Sequence, residues 1–192
     1  MNSQRRESAV VPKDAPATLR VRLGSLAANY REAVRRAGTA KAAPVVKADA
    51  YSLGMLPVAR ALALAGADTF FVARLAEGIA LRVAQPAARI FVLDGIVAGT
   101  APALASHGLI PVLNTMEEIA EWSARGAAEN RKLAAALQVD TGMNRSGIPY
   151  WEVSQVAAEA RRLLFEGRRC TGVEFMRGGN TTTVRATREV IV

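Results

Sequence analysis

Val45-Val46-Lys47-Ala48-Asp49-Ala50-Tyr51-Ser52-Leu53-Gly54 is the stretch from which the rest of the chain is read. A β-branched pair stops abruptly at a lysine, and small residues with a tyrosine four positions on make a turn. When a strand of a parallel sheet ends in a lysine, the amine stands at the carboxyl edge, where α/β proteins carry their sites. Lysines partly desolvated at such an edge lose basicity and condense with carbonyl compounds. Strand and lysine alone favour a packed stem whose amine reaches water.

The alternation around this stretch is regular. Strand-like runs at 44–48, 69–73, 89–94, 110–113 and 133–139 alternate with helical stretches at a pitch of about 20–25 residues, the pattern of parallel strands joined by crossover helices. Before them, Thr18–Leu23 alternates as a half-buried strand should. Ser25 is then expected to cap a helix that Gly38 ends, with Leu26, Tyr30, Ala33, Val34 and Ala37 on one face. Pro57 suits a first helical turn with Gly66 as its stop, and Thr115-Met116-Glu117-Glu118 has capping-box spacing with Gly126 as the stop. A last helix is expected over 151–164. The period recurs as a structural unit and not as a sequence repeat.

Two motifs give this architecture a chemistry. The lysine segment closely resembles the cofactor-lysine segment of alanine racemases, a hydrophobic pair followed by Lys-Ala-(Asn/Asp)-Ala-Tyr-Gly-x-Gly, with Ser52 departing where that family prefers glycine. Val139-Asp140-Thr141-Gly142-Met143-Asn144-Arg145-Ser146-Gly147 is similar to the family's second signature, Asp-Thr-Gly-Met-(Gly/Asn)-Arg-x-Gly, in order and at family spacing. The text between is also family-like, notably Phe70-Phe71-Val72-Ala73, Glu77-Gly78 and Phe91-Val92-Leu93-Asp94-Gly95. The resemblance runs from about residue 17 to 167.

It implies pyridoxal 5'-phosphate (PLP) held as a Schiff base on Lys47, whose freed amine exchanges the α-proton on one face of alanine. It also implies Tyr51 at the cofactor phosphate. Arg145 falls to the cofactor's phenolic oxygen and the substrate carboxylate, a task suited to its planar fork. The second base comes, in the family, from the C-terminal domain of a partner subunit, and the family is homodimeric. Gln138 departs from the family: many members carry there a lysine that becomes carbamylated and positions the arginine, so a neutral amide is expected to hold Arg145 less firmly. The implied function is interconversion of L- and D-alanine, supplying D-alanine for the cell wall. The fold implied is a TIM-type (β/α) barrel. A closed barrel takes about 250 residues, and this chain of 192 residues offers about five core parallel strands before residue 167. An incomplete barrel is therefore expected, weakly active or inactive alone.

The chain divides, on this reading, into a loose polar leader at 1–16, the partial barrel at 17–167 and a non-family tail at 168–192. Thr171–Met176 reads as a strand and Arg177–Thr183 as a polar turn. The family's sixth strand belongs in that region and no similar text is present, so a truncation or frame change near Gly167 is expected. Two rivals stand beside the racemase. A PLP-binding regulatory or homeostasis barrel lacks the second domain but carries a different lysine motif. An inert fragment would expose open strand edges, an aggregation hazard.

Composition narrows the remaining classes. Hydrophobic residues make up 51% and charged ones 22%, a folded profile. No apolar run has membrane-spanning length and the start lacks a signal-peptide core. One cysteine, Cys170, leaves no internal disulfide, and a cytoplasmic location is expected. The net charge of +8 comes from scattered arginines, with only 5% aromatic residues, which argues against a nucleic-acid surface. The tail contributes five arginines against Glu174 and Glu189, a pattern typical of a solvated end. Asp140-Thr141-Gly142 also spells the aspartic-protease triplet, but that chemistry needs two such aspartates in an all-β setting. His107, the only histidine, reads as a loop residue, and no Cys/His cluster suggests a metal.

Overall fold

A computed structural model describes residues 17, 19–153, 156, 162–166, 169–177 and 180–185. The leader expected at 1–16 lies outside them. Four parallel strands form one sheet in chain order: β1 (Thr69–Val72), β2 (Arg89–Val92), β3 (Ile110–Leu113) and β4 (Ala136–Leu137). Val45 adds a fifth position beside β1 through a parallel bridge to Phe71. Sequential parallel order with a helix between neighbours is the β/α-barrel unit, so the expected incomplete barrel is what the described residues form.

Each strand carries apolar side chains on both faces, as a parallel sheet covered on both sides requires. Phe70, Val72, Ile90 and Val92 point to the helices and join the main core with Val58, Leu62, Leu81, Leu104 and Trp122. The alternate residues Phe71, Phe91, Ile110 and Val112 form a second cluster on the other face. There Phe71 and Phe91 are direct register partners and stack with ring centroids 4.7 Å apart.

The helices are α1 (Leu23–Ala37), α2 (Lys47–Ser52, a left-handed turn described below), α3 (Met55–Leu64), α4 (Leu75–Ala84), α5 (Ala101–Ser106) and α6 (Met116–Ala128). Gly38 ends α1 at φ 62° and Gly66 follows α3 at φ 106°, both as the sequence predicts. Thr115 caps α6 by accepting from the Glu118 N–H at 3.2 Å. His107 terminates α5, its Nδ1 2.9 Å from the Ala103 carbonyl.

Several expectations are corrected. Residues 19–22 form no strand, and α1 begins at Leu23 with Arg22 at its cap position, so Ser25 lies inside the helix. Gly126 does not stop α6 but lies within it, and serves instead a close helix–loop approach, since a Cβ there would come within 3.1 Å of the Arg131 carbonyl. The strand expected over 133–139 is two short pieces, β4 and β5 (Val139–Asp140), split at Gln138, and β5 pairs in parallel with β6 (Ile148–Pro149). The helix expected to reach Leu164 is cut short. Val153 and Val156 are helical, but Arg162–Glu166 is strand β7. It joins β8 (Arg169–Arg177) and β9 (Asn180–Arg185) in an antiparallel sheet. The strand expected at Thr171–Met176 is part of β8. Asn180–Thr183, expected as turn, is strand instead; its threonines favour a pleated backbone.

Candidate active site

The lysine stands where its strand fails to continue. Val46 N–H donates to the Phe71 carbonyl at 2.8 Å and Phe71 N–H to the Pro44 carbonyl at 3.0 Å, so residues 44–46 pair with β1. Lys47 leaves that pairing at the carboxyl edge, half-buried, and the expected strand over 44–48 therefore ends one residue before it. The next residues explain the break. Ala48, Asp49, Ala50, Tyr51 and Ser52 all have positive φ, from 52° to 66°, and make a turn of left-handed helix. Each non-glycine residue there costs about 1–2 kcal/mol, so the turn needs external support.

Carboxylates supply it from both ends. Glu77 Oε1 accepts from Ala48 N–H at 2.6 Å, and its Oε2 accepts from Ala73 and Arg74 N–H at 2.9 and 3.1 Å. Asp49 Oδ1 accepts from Met55 N–H at 2.7 Å, tying the turn to the start of α3. Ala50 is buried at its centre. Tyr51 ends up 61% exposed, outside the core.

Further loops on the same rim are laced together. Arg74 pairs with Asp94 at 3.8 Å, linking the turns after β1 and β2. Asn114 donates from Nδ2 to the Leu93 carbonyl at 3.3 Å, and its N–H donates to Glu118 Oε2 at 2.7 Å. Glu118 in turn lies over Gly95, where φ is 67° and any Cβ would run into its carboxylate.

Arg145 sits in the loop between β5 and β6, exposed, at the carboxyl end of β5. Two polar groups shape that loop. Asp140 Oδ1 accepts from Gly142 N–H at 2.9 Å and Asn144 N–H at 3.1 Å, an Asx-type turn. These backbone donors hold the Asp140 carboxyl below the usual carboxylate range. Gln138 Nε2 donates to the Ser146 carbonyl at 3.0 Å and to Ser146 Oγ at 2.9 Å, so the neutral amide pins the residue next to Arg145. Gly147 closes the loop at φ 106°, with no room for a Cβ against Asp140 N and the Gln138 carbonyl.

Lys47 and Tyr51 thus share one turn, and Arg145 stands on another loop of the same carboxyl rim. Among the described residues no hydrogen bond or ion pair joins the three, and the Lys47 amine takes no partner. No group of metal-ligating side chains occurs among the described residues. Glu77, Asp140 and Ser146 are structural members of the site to which sequence reasoning gave no such role. The available signals were an acid three residues into a helix after a strand and an Asp-x-Gly triplet.

By class, this is a segment of parallel β/α barrel whose carboxyl rim, the catalytic side of such barrels, carries an amine and a guanidinium. The donor set suits an anionic aldehyde: the amine for the carbonyl, the guanidinium and phenol for negative oxygens. The chain belongs to the alanine racemase family, residues 21–174 matching the family model for the alanine racemase N-terminal domain. The alanine racemase of Methylobacterium sp. (strain 4-46) is 46% identical over 144 residues, 75% of this chain and 40% of that protein. The biosynthetic alanine racemase of Agrobacterium fabrum is 45% identical over 150 residues, 78% of this chain and 38% of that one. The crystal structure of Bartonella henselae alanine racemase with covalently bound pyridoxal phosphate superposes with a TM-score of 0.68 at 35% identity, over 70% of this chain and 39% of that chain. The chain spans about two fifths of the length of these relatives.

Proposed function

We propose that this chain is the cofactor-bearing part of a PLP-dependent alanine racemase, an isomerase that interconverts L- and D-alanine, with Lys47 as the residue that holds PLP. The observation that carries the reading is Lys47 itself, half-buried at the carboxyl edge beside β1, with an amine that takes no partner among the described residues and a turn behind it held by Glu77. The covalent PLP of the Bartonella henselae relative supports the assignment. When bound, the cofactor supplies an aldehyde for the amine and a conjugated ring that takes up charge developing at the substrate α-carbon.

The chain's own residues do the rest. Lys47 Nζ would take the α-proton from one face or return it. Tyr51, an exposed residue of the same turn, would donate its hydroxyl to the cofactor phosphate. Arg145 binds the cofactor's phenolic oxygen and the substrate carboxylate, and the Gln138–Ser146 contact holds its loop. Proton return on the opposite face falls, on this reading, to a base from a partner subunit in a homodimer. D-alanine for the cell wall, made in the cytoplasm, is the role this reading assigns. Division into leader 1–16, barrel 17–167 and tail 168–192 belongs to the same proposal.

Titration of the purified chain with PLP tests it. The expected result is a visible imine absorbance band that the Lys47→Ala chain lacks. The same band in both chains, or in neither, refutes the assignment of Lys47.

A further inference from the structure

We propose that Glu77 is a positioning residue for Lys47, acting through the backbone of the left-handed turn and not through the amine. The inference rests on the reading of Lys47 as the cofactor lysine. The direction in which the lysine side chain leaves the sheet is set by the two peptide planes that flank it. On the N-terminal side the plane contains the Val46 carbonyl, which accepts from the Ala50 N–H at 2.9 Å. On the C-terminal side the plane contains the Ala48 N–H, and Glu77 Oε1 takes that proton at 2.6 Å. The second oxygen of the same carboxylate is committed to Ala73 and Arg74 N–H, at the end of β1 and the start of α4. Glu77 therefore transmits the position of a helix start to the peptide bond beside the lysine.

Only a carboxylate suits this place. Its three donors approach both oxygens, so both ends of the group must accept. A glutamine of the same length accepts at one end only and turns an NH₂ toward a donor at the other. Glu77→Gln can keep the helix start or the turn, not both. Without the tie, five consecutive residues at positive φ lose an external hold on their first member, and the turn relaxes toward conformations that L-residues prefer.

Glu118 provides an internal control. It occupies the third position of α6 as Glu77 does in α4, accepts from Asn114 N–H at 2.7 Å and lies over Gly95 after β2. The device is the same, but the loop it holds carries no lysine.

The experiment compares the full chain with its Glu77→Gln and Glu118→Gln variants. Amide hydrogen exchange is read over 48–54, and PLP followed by borohydride measures the pyridoxyl label on Lys47 against Lys41. In Glu77→Gln, exchange at Ala48 and the loss of Lys47 label are each expected at about tenfold, the scale of one lost charge-assisted hydrogen bond. Glu118→Gln should change neither. Unchanged exchange and labelling in Glu77→Gln, or equal effects in Glu118→Gln, overturn the proposal. If Lys47 of the unaltered chain takes no pyridoxyl label, it is the cofactor reading that fails. Positioning is then judged by the pH profile of Lys47 trace acetylation relative to Lys41 and Lys132. A profile altered by Glu77→Gln supports positioning, and an unaltered one overturns it.

Discussion

Gly147→Ala should separate the two demands that the second motif places on one residue. Gly147 has φ 106°, and a Cβ would lie 2.9 Å from Asp140 N, 3.0 Å from Gln138 Cγ and 3.1 Å from the Gln138 carbonyl. The conformational cost of an L-residue in that region is about 1–3 kcal/mol. Two of the three contacts are backbone atoms of the β5–β6 pairing, where Ile148 N–H donates to the Gln138 carbonyl at 2.8 Å. Relief by side-chain motion is therefore closed, and overpacking adds about 1–3 kcal/mol. The expected loss is about 2–6 kcal/mol against a typical domain stability of about 5–15. Gly38→Ala is the matched control, since Gly38 also has positive φ, 62°, but nothing stands within 4 Å of its Cβ position. It should lose only the conformational part, about 1–3 kcal/mol. Urea denaturation followed by the fluorescence of buried Trp122, with m-values compared, reads both variants. Equal losses at the two positions would refute the claim that packing around Gly147 fixes the Arg145 loop.

The remaining predictions test other joints of the structure. Ser52 has φ 66°, so Ser52→Gly should gain about 1 kcal/mol and Ser52→Val should lose stability, β-branched residues being the least tolerant of positive φ; equal stability of the two in urea would argue against a left-handed turn. Arg82 collects the carbonyls of His107, Gly108, Ala88 and Pro86 at 3.0, 2.9, 2.6 and 2.9 Å. Arg82→Ala should lower stability by about 2–4 kcal/mol, because it strands several partly buried acceptors; a loss under about 0.5 kcal/mol would show that water replaces them. Asp140 is held below the ordinary carboxylate range by backbone donors, so its contribution is present above the unfolded-state pKa, about 3.9. That contribution is lost as pH falls through the lower folded value. Amide exchange at 142–144, corrected for intrinsic rates, should rise selectively below about pH 4, and an Asp140→Asn chain should show no such dependence.

Much of the barrel was legible because its determinants are local. The runs at 69–73, 89–94 and 110–113 are β-branched or aromatic and sit between capped helices, so propensity, periodicity and caps agree. Lys47 at a strand end was legible for the same reason. The turn after it was not. Ala48 to Ser52 contain nothing that asks for positive φ, and their conformation is imposed by Glu77 and Asp49 from outside the segment. Gly126 misled because its glycine serves a close approach to Arg131 and not a helix stop. Gln138 donates neutral hydrogen bonds as expected, but to Ser146 and not to Arg145, a partner that spacing alone does not identify. The end of the expected helix at Leu164 failed through pairing: Leu164 faces Gly172 in an antiparallel register that lies downstream in sequence.

The central claim is that Lys47 is a working cofactor lysine. The purified chain is incubated with PLP, reduced with borohydride and digested, and each pyridoxyl-lysine is located by peptide mass spectrometry. Lys47 is predicted to carry most of the label, with Lys41, tied to Asp68 at 2.6 Å, and exposed Lys132 nearly free of it. Label spread evenly over the lysines, or absent from Lys47, would contradict the account.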